Sequence, residues 1–333
     1  MRFIHTSCPH IGSGFKNIPN YLERSTKEID EIYSIAERNS IKIVLITGDI
    51  FQKNEPTQLE RDLLLKKVLH YDRKFITILL EGNHDSVDSK TSSIHFLKLL
   101  QEKGKFKNTF IAEINPEVID LPEAYILALP TFRTKLIKIL LNKLPKNNKP
   151  VIVMGHQATL GAVTDSGRTL KGSSIAKLKK FKRIVYFAMG HVHKFQKLEL
   201  PHAFQSGSPI QHRFDEQLPK GILLVDTKHP TKPKLVSLKT VKPLVVVREG
   251  EHIPKDAYVK VLLKSKDLRK ENLPDNVIAT DYIRKNQPIS EYELKGKITD
   301  GLVEFLKEKN YKSKKIKQCL KIINTIKQQL KVA

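Results

Sequence analysis

The chain is short of cysteine, of tryptophan and of acid. Its 333 residues include only Cys8 and Cys319 as cysteines, too few for a disulfide framework, and a reducing cytoplasm is expected. Tryptophan is absent and aromatics make up 7% of the chain. Only one or two aromatics neighbour the basic stretches, which leaves no stacking platform for single-stranded nucleic acid. No apolar run approaches the roughly 20 residues of a membrane helix. The opening Met1-Arg2-Phe3-Ile4-His5-Thr6-Ser7 reads as a strand, without the apolar core or cleavage site of a signal peptide, so no membrane partner is expected. Internal repeats and long low-complexity segments are missing as well. Acids number 35 against 59 Lys and Arg, a formal net charge of +24. That excess favours a polyanionic partner, nucleic acid before acidic membrane, although a lysine-rich solvated surface has the same composition.

What is there is a regular alternation. Residues 2–7 read as a strand ending at Cys8-Pro9-His10. A helix follows from Ser25 or Thr26 to about Arg38, with Ile29, Ile32, Ile35 and Ala36 on one face. Residues 43–47 form a buried strand ending at Gly48-Asp49. Pro56-Thr57 opens a helix with Leu59, Leu63, Leu64, Val68 and Leu69 inward. A third strand, 75–80, ends at Gly82-Asn83-His84-Asp85, and 93–102 is helical. This alternation argues for parallel βαβ units. Short strands over 110–129 and a helix over 136–144 come next. Residues 151–154 then end at Gly155-His156, and 184–189 at Gly190-His191-Val192-His193, with a Gly/Ser/Thr-rich loop at 159–174 between them. The expected class is α/β, two sheets face to face with helices outside.

A polar hinge, Lys228-His229-Pro230-Thr231-Lys232-Pro233, places the end of a main domain, 1–240. Residues 241–294 then form a small α/β capping domain and 295–333 a helical segment. In the latter, Ile316, Leu320, Ile323, Ile326 and Leu330 recur every three or four residues, an amphipathic stripe, while residues 307–331 carry nine lysines and one acid.

The chemistry gathers at strand ends. Cys8, His10, Asp49, Asn83, His84, His156, His191 and His193 all follow apolar strands, where α/β folds place their sites. Singly each is weak, since Gly-Asn and Gly-Asp are common turns. Jointly they form a donor set of imidazoles, a carboxylate, a carboxamide and a thiol. Such a set suits Mn, Fe or Zn, and Asp49 could bridge two ions that clamp a phosphodiester.

These motifs resemble the series of the calcineurin-like metallophosphoesterases. Within that family, residues 1–7, Thr47-Gly48-Asp49-Ile50-Phe51 and Gln205-Ser206-Gly207-Ser208-Pro209-Ile210 are similar to SbcD and the meiotic-recombination (MRE) nucleases, phage recombination endonuclease subunits included. The likeness covers about residues 1–225; beyond 241 only the layout matches. It implies a four-layer metallophosphoesterase β-sandwich flanked by helices. It also implies a two-metal DNA nuclease, manganese foremost, with 3'–5' exonuclease and endonuclease activity at DNA ends in repair and recombination. By the same resemblance Cys8, His10, Asp49 and His193 surround one ion, and Asp49, Asn83, His156 and His191 the other. His84 faces the scissile phosphate. Asp85 either orients the His84 ring or stabilises its own turn. The resemblance further implies a homodimer, and an SbcC-type, SMC-like ATPase bound through the C-terminal helices at Ile316, Leu320, Ile323, Ile326 and Leu330. From the residues alone, that stripe packs equally well on its own domain.

The family pattern at the first strand end is Asp-x-His, and this chain has Cys8-Pro9-His10. Three readings stand: a ligating thiolate that shifts preference to Zn or Fe, with Mg also in play; a bystander beside a weakened site; or a silenced scaffold that holds DNA ends. Seven of the eight family positions are intact, which argues for retained machinery. Phosphatase action on a small molecule or protein uses the same metals, and the basic charge favours DNA over it. Arg168 and Lys171 of the 159–174 loop are either backbone contacts to DNA or ordinary surface.

Overall fold

The computed structural model describes residues 1–13, 18, 21–130, 134–264 and 273–282. The stripe at Ile316, Leu320, Ile323, Ile326 and Leu330 lies outside them.

Strands β1 (Arg2–Thr6), β2 (Ile43–Thr47), β3 (Ile76–Leu80) and β4 (Thr109–Ala112) pair in parallel, linked by α1 (Tyr21–Arg38), α2 (Gln58–Tyr71) and α3 (His95–Glu102). A second sheet is built from β5 (Glu117–Asp120) and β6 (Tyr125–Leu129), then, after α4 (Thr134–Lys143), from β7 (Val151–His156), β8 (Ile184–Gly190), β9 (Gln196–Lys197) and β10 (Ala203–Gln205). Its order is β5-β6-β7-β8-β10-β9, with β6, β7, β8 and β10 parallel. The chain then returns to the first sheet, where β11 (Ile222–Asp226) and β12 (Lys234–Val236) join antiparallel beside β1. A small third sheet holds β13 (Leu244–Arg248), β14 (Tyr258–Leu263) and β15 (Val277–Tyr282).

Period-two alternation makes the layers. Phe3, Leu45, Ile78 and Leu80 face Ile126, Ile152, Met154 and Tyr186 across the gap between the two sheets. Their neighbours Ile4, Val44, Ile46 and Leu79 point outward against Ile29, Ile32 and Ile35 of α1, Leu64 and Val68 of α2 and Leu97 of α3. On the other side Leu127, Val153 and Phe187 pack on Ile137 of α4. The result is helix, sheet, sheet, helix. Since β1, β2, β3, β7 and β8 are all inner parallel strands, their C-terminal ends meet along one rim. Among the described residues no helix is long and apolar enough to cross a membrane.

Two expectations about helices change. α1 starts at Tyr21, four residues before Ser25, and buries Arg24, Ser25, Glu28 and Glu31. In α2, Leu59 is 66% and Leu69 47% exposed rather than inward. Leu64 and Val68, one turn apart, carry the contact, and a 3.6-residue period cannot also bring Leu59 to that face.

Candidate metal centre

The loops after β1 and β2 run side by side: the N–H of Cys8 donates to Gly48 O at 2.9 Å, that of His10 to Asp49 O at 3.1 Å, and that of Ile11 to Ile50 O at 2.8 Å. Cys8, His10, Asp49 and His191 have φ of 55°, 45°, 53° and 94°, the left-handed region that non-glycine residues avoid. Four donors sharing that strain mark a functional rim. The glycines before the donors make room. Gly48 has φ of 88°, and a Cβ there would sit 2.2 Å from Nδ1 of His156; one on Gly82 would sit 2.1 Å from the backbone N of Asp49.

Asp49 is the hub. Its Oδ2 lies 3.1 Å from His156 Nε2 and 3.6 Å from His10 Nε2, while Oδ1 accepts the His84 backbone N–H at 2.8 Å. Asn83 Oδ1 lies 2.8 Å from His191 Nδ1 and 3.2 Å from His156 Nε2. His10 and His193 oppose Nε2 to Nε2 at 3.0 Å. The Cys8 thiol is fully buried. Its Sγ falls in two donor groups whose atoms all lie within 4.8 Å of one another, one with His10 and His193, the other with Asp49 and His156.

Far-side hydrogen bonds fix several rings. His156 Nδ1–H donates to Thr47 O at 2.7 Å, His193 Nδ1–H to Glu216 Oε1 at 2.8 Å, and His84 Nδ1–H to Gln52 O at 2.8 Å. These tautomers follow from the partners, and they turn Nε2 of His156 and His193 toward the centre. The His10–His193 contact then sets a ring nitrogen lone pair against its neighbour at 3.0 Å, about the spacing of adjacent ligands around an ion with metal–nitrogen distances near 2.1 Å. The residues present therefore fit divalent ions.

Burial, with His193 next to it, lowers His10 to about 3, and burial with His156 lowers His191 to about 4, so both offer neutral nitrogens at neutral pH. Burial pushes Asp49 up, yet His156 and His10 outweigh it and hold the carboxylate below its ordinary value. His156 is raised in turn: burial opposes its charge, but Asp49 and the Thr47 carbonyl win. Burial, reinforced by Asp49, raises the Cys8 thiol well above its ordinary value, against hydrogen bonds from the Ser7 side chain and the His191 backbone.

Asp85 takes the turn-stabilising role, not that of ring orienter. Its carboxylate accepts the backbone N–H groups of Ile50 at 3.0 Å, Phe51 at 2.8 Å and Gly82 at 2.8 Å, and it is the Gln52 carbonyl that holds the His84 ring. Asp85 thus ties the second strand end to the third. Arg168 and Lys171 are exposed, and their loop reaches the centre through Thr164, Asp165 and Leu170 instead.

Sequence reasoning missed a buried support behind His193. Glu216, which accepts from that ring, is held down to about 2: burial raises it, but His193 and Lys220 outweigh burial. Lys220 Nζ lies 3.1 Å from Glu216 and 3.2 Å from Asp165, and donates to His193 O at 2.7 Å. His212 donates Nε2–H to the Cys8 carbonyl at 2.9 Å. The only sequence signal was Glu216 and Lys220 at i,i+4 just after the Gln205–Ile210 motif. The centre opens into a cleft of about 870 Å³ lined also by Tyr21, Gln52, Lys53 and Arg213.

Residues 1–195 match the family described as calcineurin-like phosphoesterase. The chain is similar to the D component of the SbcCD nuclease of Escherichia coli (strain K12), 24% identical over 249 residues, 65% of this chain and 62% of that protein. It is also similar to DNA double-strand break repair protein Mre11 of Archaeoglobus fulgidus, 26% identical over 208 residues, 58% of this chain and 46% of the other. The chain therefore spans about 62% of the length of the Escherichia coli relative. Among solved structures, TT1561 of Thermus thermophilus aligns with a TM-score of 0.46 at 11% identity, over 72% of this chain and 99% of that one.

Proposed function

The chain belongs to the calcineurin-like phosphoesterase family, metal-dependent hydrolases of phosphoester bonds, and from that premise we propose that it is a DNA nuclease subunit cutting phosphodiester bonds at DNA ends. The observation that carries this reading is the convergence of donors from five strand ends on one centre: His10, His156 and the His84 backbone on Asp49, His191 on Asn83 and His193 on His10. Cys8, His10, Asp49 and His193 would hold one ion, and Asp49, Asn83, His156 and His191 the other. Two divalent ions, manganese foremost, supply positive charge to a phosphoryl oxygen and lower the pKa of a water.

The chain's own groups do the rest. His84, with Nδ1–H fixed on Gln52 O, turns Nε2 to the cleft, where a proton on it can pass to the leaving oxygen. Asp49 fixes the His84 backbone, so metal site and acid move as one unit. Lys53, exposed at the cleft, offers a cation to backbone phosphates.

A nucleic-acid substrate is supported by the net charge of +24 and by the SbcCD and Mre11 relatives. We assign residues 1–240 to the nuclease domain, 241–294 to a cap and 295–333 to binding an SbcC-type ATPase, with the chain dimeric and cytoplasmic. Truncation near residue 295 is expected to abolish ATPase binding; retained binding overturns that assignment. A second reading, a silenced scaffold that holds DNA ends, is favoured by one observation: a buried thiol where the family pattern has a carboxylate. Cleavage of duplex DNA by the chain and by Cys8→Asp in Mn, Mg, Zn and Fe, with and without the ATPase, separates the two. Cleavage by the native chain supports the nuclease. Cleavage by Cys8→Asp alone supports the scaffold, and none by either overturns the nuclease.

A further inference from the structure

We infer that Cys8 is a ligand shared by both metal positions, a thiolate bridge beside Asp49, which tunes the centre toward thiophilic divalent ions. The inference rests on the phosphoesterase reading of the centre and adds to it, since Cys8 has so far been given to one ion only.

Three observations carry it. Cys8 Sγ belongs to both donor groups, one with His10 and His193, the other with Asp49 and His156. Asp49 Oδ2, a member of the second group at 3.1 Å from His156, also lies 3.6 Å from His10 of the first, so the two groups adjoin. The Cys8 backbone is also pinned from both sides, by its N–H on Gly48 O at 2.9 Å and by His212 Nε2–H on its carbonyl at 2.9 Å. With the residue fully buried, the sulfur stays where the two groups meet.

A sulfur has the lone pairs to serve two ions at once, and thiolate prefers Zn, Fe and Co to Mn. On binding, the S–H bond is lost, the proton leaves to solvent and the electron pair stays on sulfur. Cys8 and Asp49 then bring two negative charges against two divalent ions. The chain thereby replaces the family's first carboxylate with a group of equal charge and softer character.

The test is a cobalt titration of the full chain, stripped of metal by chelation, in a Cys319→Ser background so that Cys8 is the only thiol. The expected result is a sulfur-to-cobalt charge-transfer absorption that rises through two equivalents. Cys8→Asp should bind two equivalents without that absorption, and its preference for Zn over Mn should be lower than the native chain's by at least about tenfold. An absorption complete after one equivalent, or absent while two ions bind, overturns the bridge. Should the native chain and Cys8→Asp both bind no ion, the metal-centre reading falls with it. Two ions in Cys8→Asp and no sulfur absorption in the native chain would sink the bridge alone. The titration of the parent protein decides the matter even where the variant folds poorly.

Discussion

Three imidazoles of the centre have their far nitrogen tied to a fixed acceptor, and two of these ties have separate consequences. For His84 the tie is a backbone carbonyl, so replacing its ring removes the proposed acid and leaves the proposed metal donors their own hydrogen bonds. His84→Gln is expected to lower phosphodiester cleavage by about 10²- to 10⁴-fold at unchanged metal content, measured by turnover and elemental analysis on the same sample. For His193 the tie is Glu216. Glu216→Gln keeps the shape but removes the charge that holds Nδ1–H, and calorimetric titration should show metal affinity down by about 10- to 100-fold. At this scale the donors were legible in the sequence because each directly follows an apolar strand. The role of Asp85 was not. Its sequence neighbour is His84, yet its partners Ile50 and Phe51 come from another strand end.

The elements divide along similar lines. Strands β2, β3, β7 and β8 were readable as short apolar runs because both their faces are buried. Helix faces were less so. α2 has leucines at 59, 63, 64, 65 and 69, which circle the helix and give no single inward face. α1 buries polar groups whose partners lie far along the chain: Glu31 accepts the N–H of Lys239 at 2.8 Å and of Thr240 at 2.7 Å. Glu28, on the same helix, is fully buried, and neither of its oxygens has a hydrogen-bond partner among the described residues. Burial raises its carboxyl well above 4.5, with Arg24 opposing the shift only in part. The fold thus retains a proton that the unfolded chain releases above the ordinary carboxylate range. Its contribution is fully present below that range and is lost as pH rises toward the folded value. Glu28→Gln should therefore raise the thermal midpoint relative to the native chain by more at about pH 8 than at about pH 5, read by calorimetry at both.

At the scale of the described molecule, one cluster of exposed basic charge lies away from the centre. Lys143, Lys146, Lys177, Lys179, Lys180 and Lys182 are exposed on two adjoining segments at the N-terminal ends of β7 and β8. Arg183 clamps these segments together, donating to Lys149 O at 2.8 Å, Pro145 O at 2.9 Å and Asn147 Oδ1 at 2.6 Å. The metal centre lies at the opposite strand ends, about 20 Å off for a six-residue strand. None of the six lysines is in an ion pair among the described residues. Replacing Lys177, Lys179, Lys180 and Lys182 by Gln should weaken duplex binding and reduce the slope of log affinity against log salt by up to about 3 to 4. Turnover of a small phosphodiester should stay unchanged.

The sequence by itself determined the parallel strands and the polar donors at their ends, written in local order as an apolar run followed by polar side chains, and the net charge of +24, written in composition. Tertiary structure decided how closely those donors come together and what stands behind them. His10 meets His193 across 183 positions, and Cys8 is capped by His212 across 204. Such partners are chosen by the packing of one sheet on the other, and no local pattern records that choice. The buried Cys8 sulfur, set within 4.8 Å of the donors of both groups, is placed by the same packing.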